Sequence, residues 1–371
     1  LVACGAVGSH YPAVAVEAWQ GPVGETDVRR RAVAYAITAP NPHNLQPWLV
    51  DLREEGVITL RTDRERVLPH TDPLGRQILI GHGAFLELLV MALAQQGVAS
   101  QVQLWPQGEL PPALKDWDDR PVARITLQPG GQPDPLFAQV LLRRTPKTDF
   151  DTTRPVAPEL LARLLRSAPV QAPLSVGGTV SDAQLPALRT LCWESARVEL
   201  LTPRTMMESI QLTRVGPAEI LQHRDGISIN SPFVRAVSAL GLFDRSAPPA
   251  EGSAAYKNAM GRFEGHSRTA MGFVWITGPN TRSDQIHTGR LYVRQQLQAT
   301  ALGVGMHPMS QAVQEFAEMA PHFERVHQLV LGRPAPRTPQ EPTVQMFCRI
   351  GYPQGEVPAT PRRPLARFVQ A

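Results

Sequence analysis

The chain of 371 residues carries one helical pattern twice. Gly83-AFLELLVMALAQQ-Gly97-Val98 and Gly289-RLYVRQQLQATAL-Gly303-Val304 share the same glycine-to-glycine spacing, with apolar residues at helical intervals between them. A second pair agrees with the first. AVAYAITAP (Ala32 to Pro40) and ELLARLLRSAP (Glu159 to Pro169) each read as an amphipathic helix stopped by Ala-Pro. Such a chain is expected to fold as two related halves.

The halves differ in chemistry. After its stop, the first copy continues as NPHNLQPW (Asn41 to Trp48), in which prolines, turn residues and the carboxamides of Asn44 and Gln46 make a rigid polar loop. The second copy continues as VQAPLSV and has no such amides. Conversely, LRRTPKTDF (Leu142 to Phe150) gathers Arg143, Arg144 and Lys147 around the hydroxyl of Thr145. Basic groups and nearby backbone N–H donors in that arrangement suit a phosphate. Arg29, Arg30 and Arg31 of the first copy lack that shape. A phosphate at one end and a flat polar heterocycle at the other suggest flavin mononucleotide.

These two motifs resemble the signatures of the nitroreductase family of FMN enzymes, a basic R-R-S-x-R/K helix start and a P-S-S-x-N-x-Q-P-W loop. In an ordinary member the basic segment comes first; here the loop precedes it. The family binds flavin at a dimer interface, each pocket taking the basic segment from one subunit and the loop region from the other. By resemblance, a fused tandem pair keeps one composite pocket and loses its twin. The resemblance covers most of residues 20–370 and implies a single-chain, pseudo-dimeric member. Asn41 and Pro42 replace the serines of the family loop, Thr145 replaces the serine of the basic motif, and the helical asparagine that reads the flavin pyrimidine has no evident counterpart.

Composition is that of a globular enzyme, 43% hydrophobic and 19% charged. No apolar run approaches the roughly 20 residues that span a bilayer. A formal charge of +4 is spread over dispersed arginines with no basic stripe interleaved with aromatics, so nucleic acid is not an expected partner. Cys4, Cys192 and Cys348 form no CxxC, and the ten histidines form no HExxH, so no metal is expected. HRDG at His223 to Gly226 has no glycine-rich loop to make a kinase site of it.

Leu1-Val2-Ala3-Cys4 before Gly5 has the form of a bacterial lipoprotein box. Relatives in the subgroup often carry twin-arginine signals, which implies a periplasmic or lipid-anchored protein whose signal has been removed; a cytoplasmic protein with an apolar start is the alternative. The expected divisions are a tail at 1–20, a first half at 21–135, a second half at 136–355 and a C-terminal basic arm at 356–371. Residues 224–257, rich in Ser, Pro, Gly and Ala, with an apolar segment from Phe233 to Phe243, read either as a lid over the flavin or as an extra helix pair on the outside.

The resemblance assigns roles by position. Arg143 and Thr145 match phosphate and ribityl-facing positions, and Arg362 or Arg363 supplies a second cation on the phosphate; an ordinary basic helix start and a solvated tail are the alternatives. Lys147 matches the position near flavin N1 and O2, where positive charge stabilises the anionic reduced ring. Asn44 and Gln46, with Asn41 and His43 beside them, are expected to contact the cofactor from the other half, though a turn role suits His43 as well. Pro308, Met309, Ser310 and Gln311 match the segment that passes flavin N5, with the N–H groups of Ser310 and Gln311 as donors and the methionines as packing.

The expected fold is therefore α+β, two nitroreductase-like halves intertwined as an internal pseudo-dimer, monomeric and with one FMN. The implied function is hydride transfer from NAD(P)H or another donor to flavin N5, then to a small planar acceptor such as a quinone or nitroaromatic. A non-catalytic FMN-binding or storage protein with an occluding lid is the alternative.

Overall fold

A computed structural model of the chain describes residues 11–166, 173–239 and 245–370. Cys4 of the lipoprotein-like box, the Ala168-Pro169 stop and part of the Phe233 to Phe243 segment lie outside the described residues. The first half runs α1 (Val28–Ala36), β1 (Trp48–Asp51), β2 (Val57–Thr62), α2 (Arg76–Gln95), β3 (Val98–Leu104) and β4 (Ala123–Pro129). The second begins with α3 (Pro158–Leu165), β5 (Ser175–Thr179), α4 (Leu185–Leu201), α5 (Pro203–Gln211), β6 (Thr213–Val215), α6 (Gly216–His223), β7 (Ile227–Ile229), α7 (Pro232–Ala239) and α8 (Ala254–Arg268). It closes with β8 (Gly272–Gly278), α9 (Arg282–Ala301), β9 (Gly305–Pro308), α10 (Ala320–Leu331), β10 (Thr343–Gly351) and β11 (Val369–Gln370).

Two main sheets make the fold α+β. One has the order β11-β1-β2-β4-β3, antiparallel except where β11 joins β1 in parallel; the other, β5-β8-β10-β9, is antiparallel throughout. Strand β11 ends the chain yet completes the sheet of the first half, pairing Val369 with Val50. The C-terminal arm thus crosses back over the molecule.

The repeated helices, α2 and α9, pack on each other at the glycines that marked the repeat. A Cβ on Gly83 would overlap the Ile286 carbonyl oxygen, and one on Gly289 would overlap that of Ile80, so both positions need a bare backbone to let the helices approach. The exchange is reciprocal in the core as well. Ile80 of α2 joins the core of the second half, while Ile286, Val293 and Leu297 of α9 join that of the first. It is reciprocal a third time at the helix starts. Arg76 opens α2 and donates to the carbonyls of Gln345 (2.8 Å) and Val313, with Glu315 paired at 2.8 Å. Arg282 opens α9 and reaches the other way, to the carbonyls of Leu74 (2.8 Å) and Pro112 (2.9 Å).

Helix α2 is long and apolar enough to cross a membrane by length and composition, but 83% of that window is buried between the two halves. Such burial is the mark of a core helix. The insertion is partly helical: β7 pairs in parallel with β6, α7 follows, and α8 leads into β8.

Candidate functional site

The loop after α1 is built from strained backbone. His43, Asn44 and Gln46 all have positive φ, at 47°, 55° and 55°, a conformation costing non-glycine residues on the order of 1 kcal/mol each. Asn41 braces it, accepting the Gln46 N–H at 2.8 Å and donating to the Ala39 carbonyl at 3.1 Å. The strain is offset by side-chain bonds to distant segments. Asn44 donates to the Pro361 carbonyl (3.0 Å) and accepts from Arg362 (2.7 Å). Gln46 accepts the Arg363 N–H (2.9 Å) and donates to the carbonyls of Arg224 (2.9 Å) and Asn44 (3.2 Å).

The two carboxamides expected to touch a cofactor therefore fasten the C-terminal arm and the insertion to the loop. Each amide nitrogen and oxygen of the two makes at least one bond within the protein. Arg363 likewise departs from expectation: it donates to the Gln46 carbonyl at 2.7 Å and lies 3.9 Å from Asp63, away from the basic segment. HRDG acquires a structural use here. Asp225 pairs with Arg66 (2.6 Å) and Arg214 (2.9 Å), and the Gly226 N–H donates to the Asn44 carbonyl at 3.2 Å.

The basic segment of the second half meets this loop. Buried Arg143 donates to the Thr38 carbonyl (2.7 Å), to Thr145 Oγ1 (3.2 Å) and to Gln296 Oε1 (3.0 Å), while its Nε has no partner. Arg362, also buried, donates to the carbonyls of Ile37 (2.7 Å), Thr38 (3.0 Å) and Ala39 (3.1 Å). Trp19 collects three guanidiniums around its ring, Arg144 at 4.5 Å, Arg362 at 5.2 Å and Arg143 at 5.3 Å. None of the three has a carboxylate within ion-pair distance among the described residues. Burial depresses all three, Arg143 to about 10; neighbouring arginines add to this at Arg143 and Arg362, while Glu356 pulls Arg144 the other way.

Lys147 keeps an accessible side chain, yet surrounding protein desolvates its ammonium and pushes it down to about 8, with repulsion from Arg262 and Arg362 in addition. His43 stands near this ammonium, held neutral by burial and by Lys147, down to about 4. Its Nε2 lies 3.2 Å from Ser209 Oγ on α5, and its Nδ1 is buried without a partner. Burial and the charges of Arg349, Arg262 and Lys147 press His266 down to about 3. Two surface hollows are lined, one by Glu54, Arg61 and Arg124 on the first sheet, the other by Ala18, Gly21, Ile37, Arg363 and Pro364 beside Trp19.

Pro308 ends β9, and Met309 is a core residue whose N–H donates to the Phe347 carbonyl at 2.8 Å. Ser310 and Gln311 open a 3-10 turn, and their N–H groups meet no acceptor among the described residues. The Gln311 side chain and Gln314 (2.6 Å) bond to buried Glu199, whose carboxyl burial raises to about 7.

The structure thus brings together Arg143, Thr145, Lys147, His43 and Arg362, and holds Asn41, Asn44, Gln46 and Arg363 behind them. Sequence reasoning missed Trp19, Gln296, Arg262 and His266. Gln296 had left a signal, since it interrupts the repeated helix where the first copy carries Val90. The others are single residues in no motif.

What this donor set suits is a phosphate monoester: clustered cations with no carboxylate in ion-pair contact among the described residues, and a buried guanidinium Nε lacking an acceptor. No protein-family model matches the chain. It is 28% identical over 351 residues to the "Putative NAD(P)H nitroreductase acg" of Mycobacterium tuberculosis, covering 92% of this chain and 94% of that protein. An uncharacterized protein of the same organism is 32% identical over 158 residues, 42% of this chain and 44% of its own length. Among solved structures, an FMN and NADPH-dependent nitroreductase, NfnB from Sphigopyxis sp. strain HMH, is 14% identical with a TM-score of 0.36, covering 64% of this chain and 98% of that one.

Proposed function

We propose that this chain, a homologue of a nitroreductase-like protein of M. tuberculosis, is an FMN-dependent oxidoreductase that passes electrons from NAD(P)H to a small planar acceptor, a quinone or nitroaromatic. One observation carries the reading. Cations from the second half and the C-terminal arm converge with no carboxylate in ion-pair contact among the described residues, Arg143, Arg144 and Arg362 around Trp19 and Lys147 beside them. A phosphate dianion offsets that charge.

FMN, when bound, supplies the hydride-accepting and hydride-donating ring, so no side chain needs to act as nucleophile. Arg143, Arg144 and Thr145 hold the phosphate, while Arg362 adds charge from behind with its own donors spent on the carbonyls that end α1. Lys147 lends positive charge to the ring's pyrimidine side. Ser310 and Gln311 offer N–H donors at the ring's edge. Asn44 and Gln46 keep the arm and the loop in register.

The test is an absorbance spectrum of the purified chain with mass identification of whatever heat releases. A flavin spectrum with about one FMN per chain is expected, followed by bleaching with NADPH and turnover of menadione or a nitrofuran. A colourless protein that takes up no added FMN overturns the proposal. A second reading, FMN storage, is favoured by the insertion's attachment to the loop, where Gly226 donates to Asn44 and Gln46 donates to Arg224. Bleaching by dithionite but not by NADPH, without turnover, selects it.

A further inference from the structure

Arg262 lies in α8, the helix that brings the insertion back to the second sheet. Its guanidinium is half-buried and has no hydrogen bond and no carboxylate partner among the described residues. The groups it acts on are Lys147, His266, His307 and Arg349, with the phenol of Tyr11 beside it, while the carboxylate of Asp149, against Gly265 one turn along α8, acts on Arg349. Unpartnered buried atoms lie on its neighbours and on theirs: His266 Nδ1 one turn along α8, Ser228 Oγ on the residue whose carbonyl accepts from Tyr11, and His43 Nδ1 on the imidazole that feels the charge of Lys147. Such unsatisfied groups cost folding energy unless a ligand completes them.

The cations divide into two groups. Lys147 is repelled by both Arg262 and Arg362, whereas Arg143 and Arg362 repel each other without Arg262 taking part. Lys147 therefore lies between the Trp19 cluster and Arg262. Three guanidiniums at Trp19 suffice for a phosphate dianion, and Lys147 is taken by the ring. Arg262 remains, with one charge and a planar fork of donors shaped for a carboxylate.

We propose that Arg262 is a specificity-determining residue that pairs with the carboxylate of the acceptor, so that the substrate is a planar aromatic carboxylate rather than a neutral compound. The proposal rests on the flavin reading only for this being a reaction site; anion binding itself does not depend on it. Neutral His43, close to Lys147, supplies a further polar contact to the same ligand.

The experiment compares 4-nitrobenzoate with its uncharged methyl ester by isothermal titration calorimetry, on the protein as purified and after added FMN. The carboxylate is expected to bind about tenfold more tightly than the ester, the effect of one charge-assisted hydrogen bond. Arg262→Gln removes the preference while ester affinity and FMN content stay unchanged, and Arg262→Lys restores part of it. Equal affinity of acid and ester in the wild type overturns the proposal, without need of any variant to fold. So does a preference that survives Arg262→Gln. A preference present in protein that takes up no FMN supports the anion site and sinks the flavin reading; full FMN content without the preference does the reverse.

Discussion

Arg143 and Arg362 donate to the same acceptor, the Thr38 carbonyl, at 2.7 and 3.0 Å. One comes from the basic segment of the second half and the other from the C-terminal arm. Two like charges tolerate this closeness because α1 ends there. The carbonyls of Ile37, Thr38 and Ala39 follow directly on the C-terminus of α1, whose partial negative charge is worth up to about half an elementary charge. The helix neutralises the pair incompletely, and an anion completes the balance.

Removing Arg362 therefore strands the buried Ile37 carbonyl and the Asn44 amide oxygen, while Arg143 still donates to Thr38 and Asn41 to Ala39. Arg362→Ala is expected to cost about 3 kcal/mol of stability, the penalty of leaving such groups without donors. Chemical denaturation measures it; a loss below about 1 kcal/mol contradicts the network. FMN content should fall in parallel.

Asn44 and Arg362 share one bond of 2.7 Å, so their effects are not independent. In a double-mutant cycle with Asn44→Ala, a coupling of about 1.5 kcal/mol or more is expected. Each single variant should also lose flavin, although Asn44 is on the first half and reaches the site only through the arm. Additive effects, with flavin retained in Asn44→Ala, remove the positioning role.

The glycine spacing of the two long helices was legible in the sequence because close helix packing admits no side chain at Gly83 or Gly289. Arg143, Thr145 and Lys147 were legible because a phosphate needs them adjacent in the chain. The partners of Asn44 and Gln46 were not, since a carboxamide bonds a cofactor or a backbone equally well and the choice depends on an arm more than 300 positions away. Arg262 was invisible for a related reason. An unpaired arginine is recognised by what fails to surround it, and neighbours are set by tertiary structure.

Gly83→Ala tests the helix crossing. On an isolated helix the change gains about 1 kcal/mol, but here the new methyl meets the Ile286 carbonyl oxygen. A net loss of about 3 kcal/mol is expected, with a similar loss for Gly289→Ala against the Ile80 carbonyl. Unchanged denaturation midpoints would falsify the close approach.

Lys147 sets the flavin's redox balance if its charge faces the pyrimidine side. Lys147→Ala is expected to lower the two-electron midpoint potential on the order of 50 mV, the equivalent of about 2 kcal/mol of lost charge stabilisation. Lys147→Arg should restore most of it. Spectroelectrochemical titration decides, and a potential unmoved by either change leaves Lys147 no part in tuning.

The same residue fixes a pH dependence. Burial and the charges of Arg262 and Arg362 lower Lys147 from 10.5 to about 8 in the free protein. Between those values the unfolded chain holds a proton the native chain lacks, so stability rises with pH across about 8 to 10.5. Anion binding works in the opposite direction. A bound phosphate or reduced ring favours the ammonium, so binding takes up a proton and FMN affinity falls as pH rises above about 8, by up to about tenfold per unit. Calorimetry at pH values on either side of 8, in buffers of different ionisation heat, measures both the decline and the proton uptake. In Lys147→Arg the decline should move to higher pH, because a guanidinium holds its proton more strongly than an ammonium. His43 and His266, already neutral near pH 6, contribute nothing to a transition near 8. A wild-type affinity flat from pH 7 to pH 10 would mean that Lys147 does not face the bound anion.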